Sequence, residues 1–232
     1  MAQTYLPVLK QMTASSRDRT DEERLCAEFR TVIGSIVTLA EPLSKTALAA
    51  LLNIPLGTIA LRLKPLHSVL QIPIDTEAPV RPLHLSFSEF LTSQELQNQP
   101  FGVNSPATHS MLLTKCLGLL SNPSRKGLCE NMCNLSYPGQ ARRELAPNIV
   151  QERLPPAIQY ACRYWTHHAQ HSSTEIRDDG EVHNFLQKHF LHWLEALSLT
   201  NKISEVIGYV SILQSLASVS VAQAGISEGD QR

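Results

Sequence analysis

Apolar residues recur at helical spacing along most of the chain, and the widest such stripe lies between residues 181 and 199. A stripe of this width predicts a helix that packs against more than one neighbour. It consists of Val182, Phe185, Leu186, Phe190, Leu191, Trp193, Leu194 and Leu197. Pro155 and Pro156 predict the start of a preceding helix over 157–170. We expect Trp165 and Trp193 to anchor these two helices to each other.

Three shorter helices are predicted nearer the start of the chain. Thr20 and Glu23 have the spacing of a capping box, which predicts a helix that ends before Pro42. Ser44 is the predicted N-cap of a second helix. A break over residues 53–57 separates it from a third helix, in the manner of a helix-turn-helix. Pro65 lies within the third helix and should kink or shorten it.

A β-hairpin is predicted directly after these helices. Two β-like segments, residues 69–74 and 80–85, flank a polar turn. Three helices followed by a hairpin are the order of a winged-helix domain, and the later part of the chain is again patterned as helices. The predicted fold class is therefore mainly α, with a winged-helix domain that carries a small β-hairpin and is followed by an α-helical bundle.

The pattern divides the chain into four predicted parts. Residues 1–20 form an N-terminal tail with a short apolar segment, and residues 21–100 form the winged-helix domain. Residues 105–217 form the helical domain. Residues 218–232 are predicted to be a frayed tail.

Composition narrows the class of protein without identifying its function. Hydrophobic residues make up 43% of the chain and charged residues 18%, as in globular proteins. The net charge of −1 favours neither nucleic acid nor membrane as a partner. No segment has the apolar length of a membrane helix or the features of a secretory signal. Five cysteines without a disulfide framework indicate reduced thiols, so we expect a cytoplasmic location.

A DNA-binding winged-helix regulator is the alternative function that this fold class raises. The third helix would be the recognition helix, and its cations are Arg62 and Lys64. Phosphate contacts need several lysines or arginines to build affinity, and we therefore expect no nucleic-acid partner.

The sequence contains no recognisable catalytic constellation. Cys129 and Cys133 together with His167 and His171 are the best candidates for a zinc site, but their spacing matches no ligand signature. They are more typical of an ordinary buried cysteine pair and of solvent-facing histidines on a helix. His189 and His192 raise an acid–base role, although no nucleophile motif accompanies them. A P-loop is absent because no Gly-Lys pair occurs. We therefore predict no enzyme, no catalytic residue and no metal.

Several segments resemble one known family. Residues 42–55 (PLSKTALAALLNIP), 66–81 (LHSVLQIPIDTEAPVR) and 83–91 (LHLSFSEFL) resemble the winged-helix segment of fungal NACHT–WD-repeat proteins. Those proteins are STAND-type signalling NTPases related to heterokaryon-incompatibility proteins. Residues 128–145 and 154–199 resemble the helical segment that follows it. The resemblance covers roughly residues 21–216.

The resemblance implies a non-catalytic regulatory or interaction fragment. In the family this region lies between a NACHT NTPase domain and the repeats, so residues 5–9 resemble the end of a NACHT module. His84 matches the histidine of the family motif H-x-S-F-x-E-F, which contacts the β-phosphate of bound ADP. This implies that the chain binds no cofactor by itself and meets ADP or ATP only with a NACHT domain. The implied partner is a NACHT domain or another NLR-like protein, in trans. Pro65 departs from the polar residue expected at that position.

Overall fold

The computed structural model describes residues 5–9, 18–97, 99–137 and 139–229. The protein is mainly helical, with one antiparallel sheet of two strands among the described residues. It divides into two compact units, Met1–Leu112 and Leu113–Arg232. The four-part division of the sequence stays a prediction.

The first unit contains a helical turn over residues 5–9 and the helix α1 (Arg19–Thr38). Asp18 caps α1, because its Oδ1 accepts the Asp21 backbone N–H at 2.8 Å. The capping role predicted for Thr20 is therefore wrong, since Thr20 already lies inside the helix. The face of α1 that carries Phe29 and Ile33 is fully buried in this unit.

Two short helices, α2 (Lys45–Leu52) and α3 (Leu56–Leu63), follow. Ser44 Oγ accepts the Ala47 N–H at 3.0 Å, which confirms the predicted cap. Asn53 adopts a left-handed conformation with φ 58° and ends α2. Beyond Leu63 the chain continues as one 3-10 turn, Lys64–Leu66, so the α-helix is shortened at Pro65 as predicted.

The hairpin consists of β1 (Leu70–Gln71) and β2 (Arg81–Pro82), with Leu70 opposite Pro82 and Gln71 opposite Arg81. The strands are much shorter than the segments 69–74 and 80–85 predicted for them. Proline supplies no N–H to a ladder, and Pro73 follows β1 closely while Pro82 ends β2. The helix α4 (Leu85–Leu91) begins three residues after β2. The winged-helix assignment itself stays a prediction.

The remaining helices are α5 (Ser105–Leu120), α6 (Pro147–Arg153), α7 (Pro156–His171), α8 (Glu181–Leu199) and α9 (Val206–Gly229). The range of α8 coincides with the predicted helix. The pattern did not predict α6. The helix α9 continues past its predicted end at residue 217, and residues 230–232 of the predicted tail lie outside the described residues.

Trp165 on α7 and Trp193 on α8 form the centre of the second unit. Both side chains are fully buried, and their rings meet edge to face with centroids 5.2 Å apart. The Trp193 indole N–H donates to the Cys162 carbonyl at 2.8 Å. By contrast, the buried Trp165 indole N–H has no hydrogen-bond partner in the described structure. The predicted anchoring of the two helices is confirmed.

The buried face of α8 differs in part from the predicted stripe. Phe190 is 38% exposed and Leu191 74% exposed, so their predicted inward position is wrong. His189 occupies the buried face instead, stacked on Phe185. A face defined by steps of three and four residues from Val182 passes through these two residues to Trp193. The predicted stripe did not include His189 because it was defined by apolar residues alone.

Within the described residues, no single helix has both the length and the apolar character needed to cross a membrane. Among these residues, α2 and α3 with its 3-10 extension are long and apolar enough when they are counted together, but the two helices are bent by 119° relative to each other.

Candidate functional site

His84 lies between β2 and α4 and forms the N-cap of that helix. Its backbone is extended, with φ −144° and ψ 142°, as is usual at an N-cap. The imidazole Nδ1 accepts the Ser86 backbone N–H at 3.2 Å. A histidine thus performs the capping role that a serine or aspartate oxygen usually performs.

This capping contact determines where the imidazole carries its proton. Because Nδ1 accepts a hydrogen bond, the neutral ring carries its proton on Nε2. No residue of the described structure is hydrogen-bonded to Nε2 of His84. The side chain is exposed and lies between Leu83, which is 56% exposed, and Leu85, which is 69% exposed. The surface at His84 therefore combines one outward N–H donor with two apolar neighbours.

A hydrogen-bonded chain links His84 to the N-terminal segment. Ser86 Oγ lies 2.8 Å from His84 Nδ1 and 2.7 Å from the Tyr5 hydroxyl. The Tyr5 ring also packs on Phe87 and Phe90, with centroid distances of 5.4 and 5.3 Å. The segment 5–9 is therefore attached to the helix that His84 caps. Sequence reasoning missed this contact, because Tyr5 and Ser86 are 81 positions apart and give no local signal.

The motif around His84 divides into buried and exposed positions. Phe87 and Phe90 are buried in the core of the first unit. His84 and Glu89 remain at the surface, and Ser86 connects the histidine to Tyr5. The two phenylalanines therefore anchor α4 in the core, while the imidazole of His84 stays at the surface.

The cations predicted for DNA contact are only partly available. Arg62 Nε donates to Glu28 on α1 at 2.6 Å, and its side chain is 16% exposed. Lys64 is exposed. Since an arginine paired with a carboxylate offers little charge to a phosphate, the structure adds nothing in favour of the DNA-binding alternative.

The candidate zinc ligands are not brought together as one set. The described residues contain no group of three or more histidine, cysteine, aspartate or glutamate side chains that could hold a metal ion. Cys129 is exposed and Cys133 is buried. His167 and His171 stack on each other at 4.3 Å, and the Nδ1 of His171 lies 2.9 Å from the carbonyl of His167.

His189 and His192 form a partly buried pair on α8. Their Nδ1 atoms are 3.4 Å apart, and Nε2 of His189 is buried without a hydrogen-bond partner in the described structure. Burial, reinforced by the charges of His192 and Lys188, lowers the pKa of His189. The ring is therefore held neutral, and no nucleophile motif accompanies it.

The cysteines differ sharply in accessibility. Cys129 is exposed, whereas the other four thiols are buried. Burial raises the pKa of Cys116 and Cys162, and it also raises the pKa of Cys26 and Cys133. A raised pKa keeps a thiol protonated and weakly nucleophilic, so these four do not have the properties of an activated catalytic cysteine.

Together these features describe a mainly helical protein that has His84 exposed at the start of a short helix. Among curated proteins, the chain is similar to the vegetative incompatibility protein HET-E-1 of Podospora anserina. The two are 27% identical over 222 residues, which cover 85% of this chain and 16% of that protein. The chain therefore spans about a sixth of the length of this relative. Neither a protein-family model nor a solved structure matches the chain.

Proposed function

We propose that the chain is a non-catalytic regulatory module of a fungal signalling NTPase of the STAND type, related in role to heterokaryon-incompatibility proteins. The similarity to HET-E-1 supports this proposal, because it extends over 85% of the chain. The proposal includes a winged-helix fold for the first unit and a cytoplasmic location. The single observation that carries it is the exposed side chain of His84, whose Nδ1 accepts the Ser86 backbone N–H and so leaves Nε2 to carry the proton of the neutral ring.

In this proposal His84 contacts the nucleotide that is bound by a NACHT domain. Nε2–H donates to a β-phosphate oxygen of ADP, and the capping contact with Ser86 keeps the proton on that nitrogen. A ligand that contacts one arrangement of two domains more favourably than another shifts the population toward it. ADP bound by the NACHT domain would thus favour the docked arrangement.

The neighbours of His84 support a docking role. Leu83 and Leu85 are exposed apolar side chains on either side of the donor. Burying them against a partner would remove apolar surface from water, at roughly 25 cal/mol per Å². It would also exclude water from the hydrogen bond to phosphate, which strengthens that bond.

The test combines the purified chain with a NACHT domain of the resembled family. The chain alone should neither bind nor hydrolyse ATP, and it should bind the ADP-loaded domain more tightly than the nucleotide-free domain. His84→Ala should remove most of that difference. His84→Gln, which keeps an N–H donor, should retain part of it. His67→Ala serves as a matched control, because His67 is another exposed histidine of the same unit.

Two results would contradict the proposal in different ways. Micromolar ATP binding with turnover by the chain alone would refute the non-catalytic assignment. Equal affinity of the parent and His84→Ala chains for the ADP-loaded domain would refute the role of His84 and leave the assignment of the module intact.

A further inference from the structure

A second surface feature of the first unit, separate from His84, is a pocket of about 450 Å³ between α3 and the loop after β1. Its polar lining consists of three basic side chains, Lys45, Lys64 and His67. Its apolar lining includes Leu61, Ile72 and Ile74. No carboxylate is among the described residues that line it. The pocket therefore combines basic and apolar side chains.

Lys45 provides an unusual cation within this pocket. The residue is only 8% exposed, and its ammonium donates to the carbonyls of Pro73 at 2.7 Å and Ile74 at 3.3 Å. No carboxylate of the described structure forms an ion pair with it. An ammonium group has three donors, so two carbonyls leave one donor and the whole charge without an anionic partner.

The position of Lys45 in its helix adds to the positive potential. Lys45 is the first residue of α2, where the helix dipole favours negative rather than positive charge. Lys64 and His67, both exposed, lie along the same pocket. The two lysine charges and the helix N-terminus favour an anionic ligand, and His67 adds a polar side chain beside them.

Two of the apolar side chains that line the pocket are also exposed to solvent. Ile74 is fully exposed and Leu61 is 59% exposed. A ligand with an apolar body would cover these side chains while its anionic group reached Lys45. A pocket of a few hundred Å³ is in the size range of small-molecule sites.

We propose that this pocket binds a small carboxylic acid with an aliphatic body. A carboxylate accepts the remaining ammonium donor and brings one negative charge to one buried positive charge. Lys64 and His67 are exposed and solvated, so the buried Lys45 decides which anion fits. A phosphate ester brings up to two negative charges and three oxygens to the one remaining donor of Lys45, and it is the poorer match. The aliphatic body lies against Leu61 and Ile74.

The experiment titrates the full chain with sodium octanoate and follows backbone amides by NMR. Octanol and octylammonium carry the same tail with a neutral and a positive head group. Octanoate should saturably shift the amides of Gly57, Leu61 and Ile74, with an affinity at least ten times that for octanol. Octylammonium should not bind at the pocket.

Two variants separate the contributions of charge and space. Lys45→Met should weaken octanoate binding at least tenfold and leave octanol binding unchanged. Gly57→Leu should block both ligands, because a Cβ at Gly57 meets no atom within 4 Å and the added side chain has room to fill the pocket. Lys188→Met, in the second unit, is the charge-matched control and should change neither affinity.

Several outcomes would overturn the inference. Equal binding of octanoate and octanol would show that the pocket does not select an anion. Octanoate binding that persists in both Lys45→Met and Gly57→Leu would place the ligand elsewhere, as would shifts confined to other residues. If Lys45→Met does not fold, Gly57→Leu and the head-group comparison decide the question by themselves.

Discussion

The two buried tryptophans of the second unit should respond very differently to the same replacement. Both are fully buried, and each loses similar ring volume when it is changed to phenylalanine. Trp193 also loses a hydrogen bond of 2.8 Å to the Cys162 carbonyl, whereas Trp165 loses only an N–H without a partner. A net hydrogen bond contributes about 0.5–1.5 kcal/mol, and a buried unpaired group costs about 1–3 kcal/mol.

These magnitudes set the expected difference between the two variants. Trp193→Phe should destabilise the protein by about 1.5–4.5 kcal/mol more than Trp165→Phe. The first variant loses a hydrogen bond, whereas the second removes a buried N–H that has no partner in the described structure. Trp193→Ala, which also creates a cavity, should cost about 3–5 kcal/mol.

The assay is urea unfolding followed by circular dichroism at matched protein concentration, with the slope of each transition compared before the free energies. Phe190→Ala on the same helix is the control for a partly exposed aromatic, and it should cost less than Trp193→Ala. If Trp165→Phe is as destabilising as Trp193→Phe, the hydrogen-bond argument is refuted. If Trp193→Ala unfolds at the same urea concentration as the parent, its role as an anchor is refuted as well.

Two further predictions concern pH. The folded-state pKa of His189 is lowered chiefly by burial, so the unfolded chain binds more protons and the protein should lose stability as pH falls below about 6.5. His189→Phe should reduce this loss in unfolding curves between about pH 7 and 5, and an unchanged pH dependence would contradict it. Burial alone would raise the pKa of Glu205, but hydrogen bonds from Arg163 and Tyr209 outweigh it and the pKa is lowered. The stability that the ionised Glu205 contributes is present above the unfolded pKa near 4.3 and disappears at lower pH. Glu205→Gln should therefore lower the free energy of unfolding by about 1 kcal/mol at pH 7, and the stabilities of the variant and the parent should converge in acid.

The sequence predicted those elements whose signals are local. The helix α8 has strong periodicity over five turns, and Ser44 has the spacing of a standard cap, so both were located correctly. The cap of α1 was misplaced because Asp18 and Thr20 are both good capping residues two positions apart. Propensity alone does not choose between them.

The parts that sequence reasoning missed depend on contacts between distant residues. The family motif identified His84 as a candidate site residue. Neither its capping role nor its link to Tyr5 follows from the spacing of the residues. The basic pocket was also missed, because Lys45 reads as an ordinary surface lysine until the loop after β1 covers it. Likewise, the burial of His189 depends on which face of α8 meets the neighbouring helices.

The uneven accessibility of the five cysteines has a practical consequence for spectroscopy. Four thiols are buried and have raised pKa values, which leaves Cys129 as the reactive site at neutral pH. A maleimide dye should therefore attach to one position of the unaltered protein. Trp165 and Trp193 belong to the same unit as Cys129 and would act as energy donors to that dye. The native sequence thus supplies the donors and one attachment point for an acceptor dye, which together would follow the unfolding of the second unit.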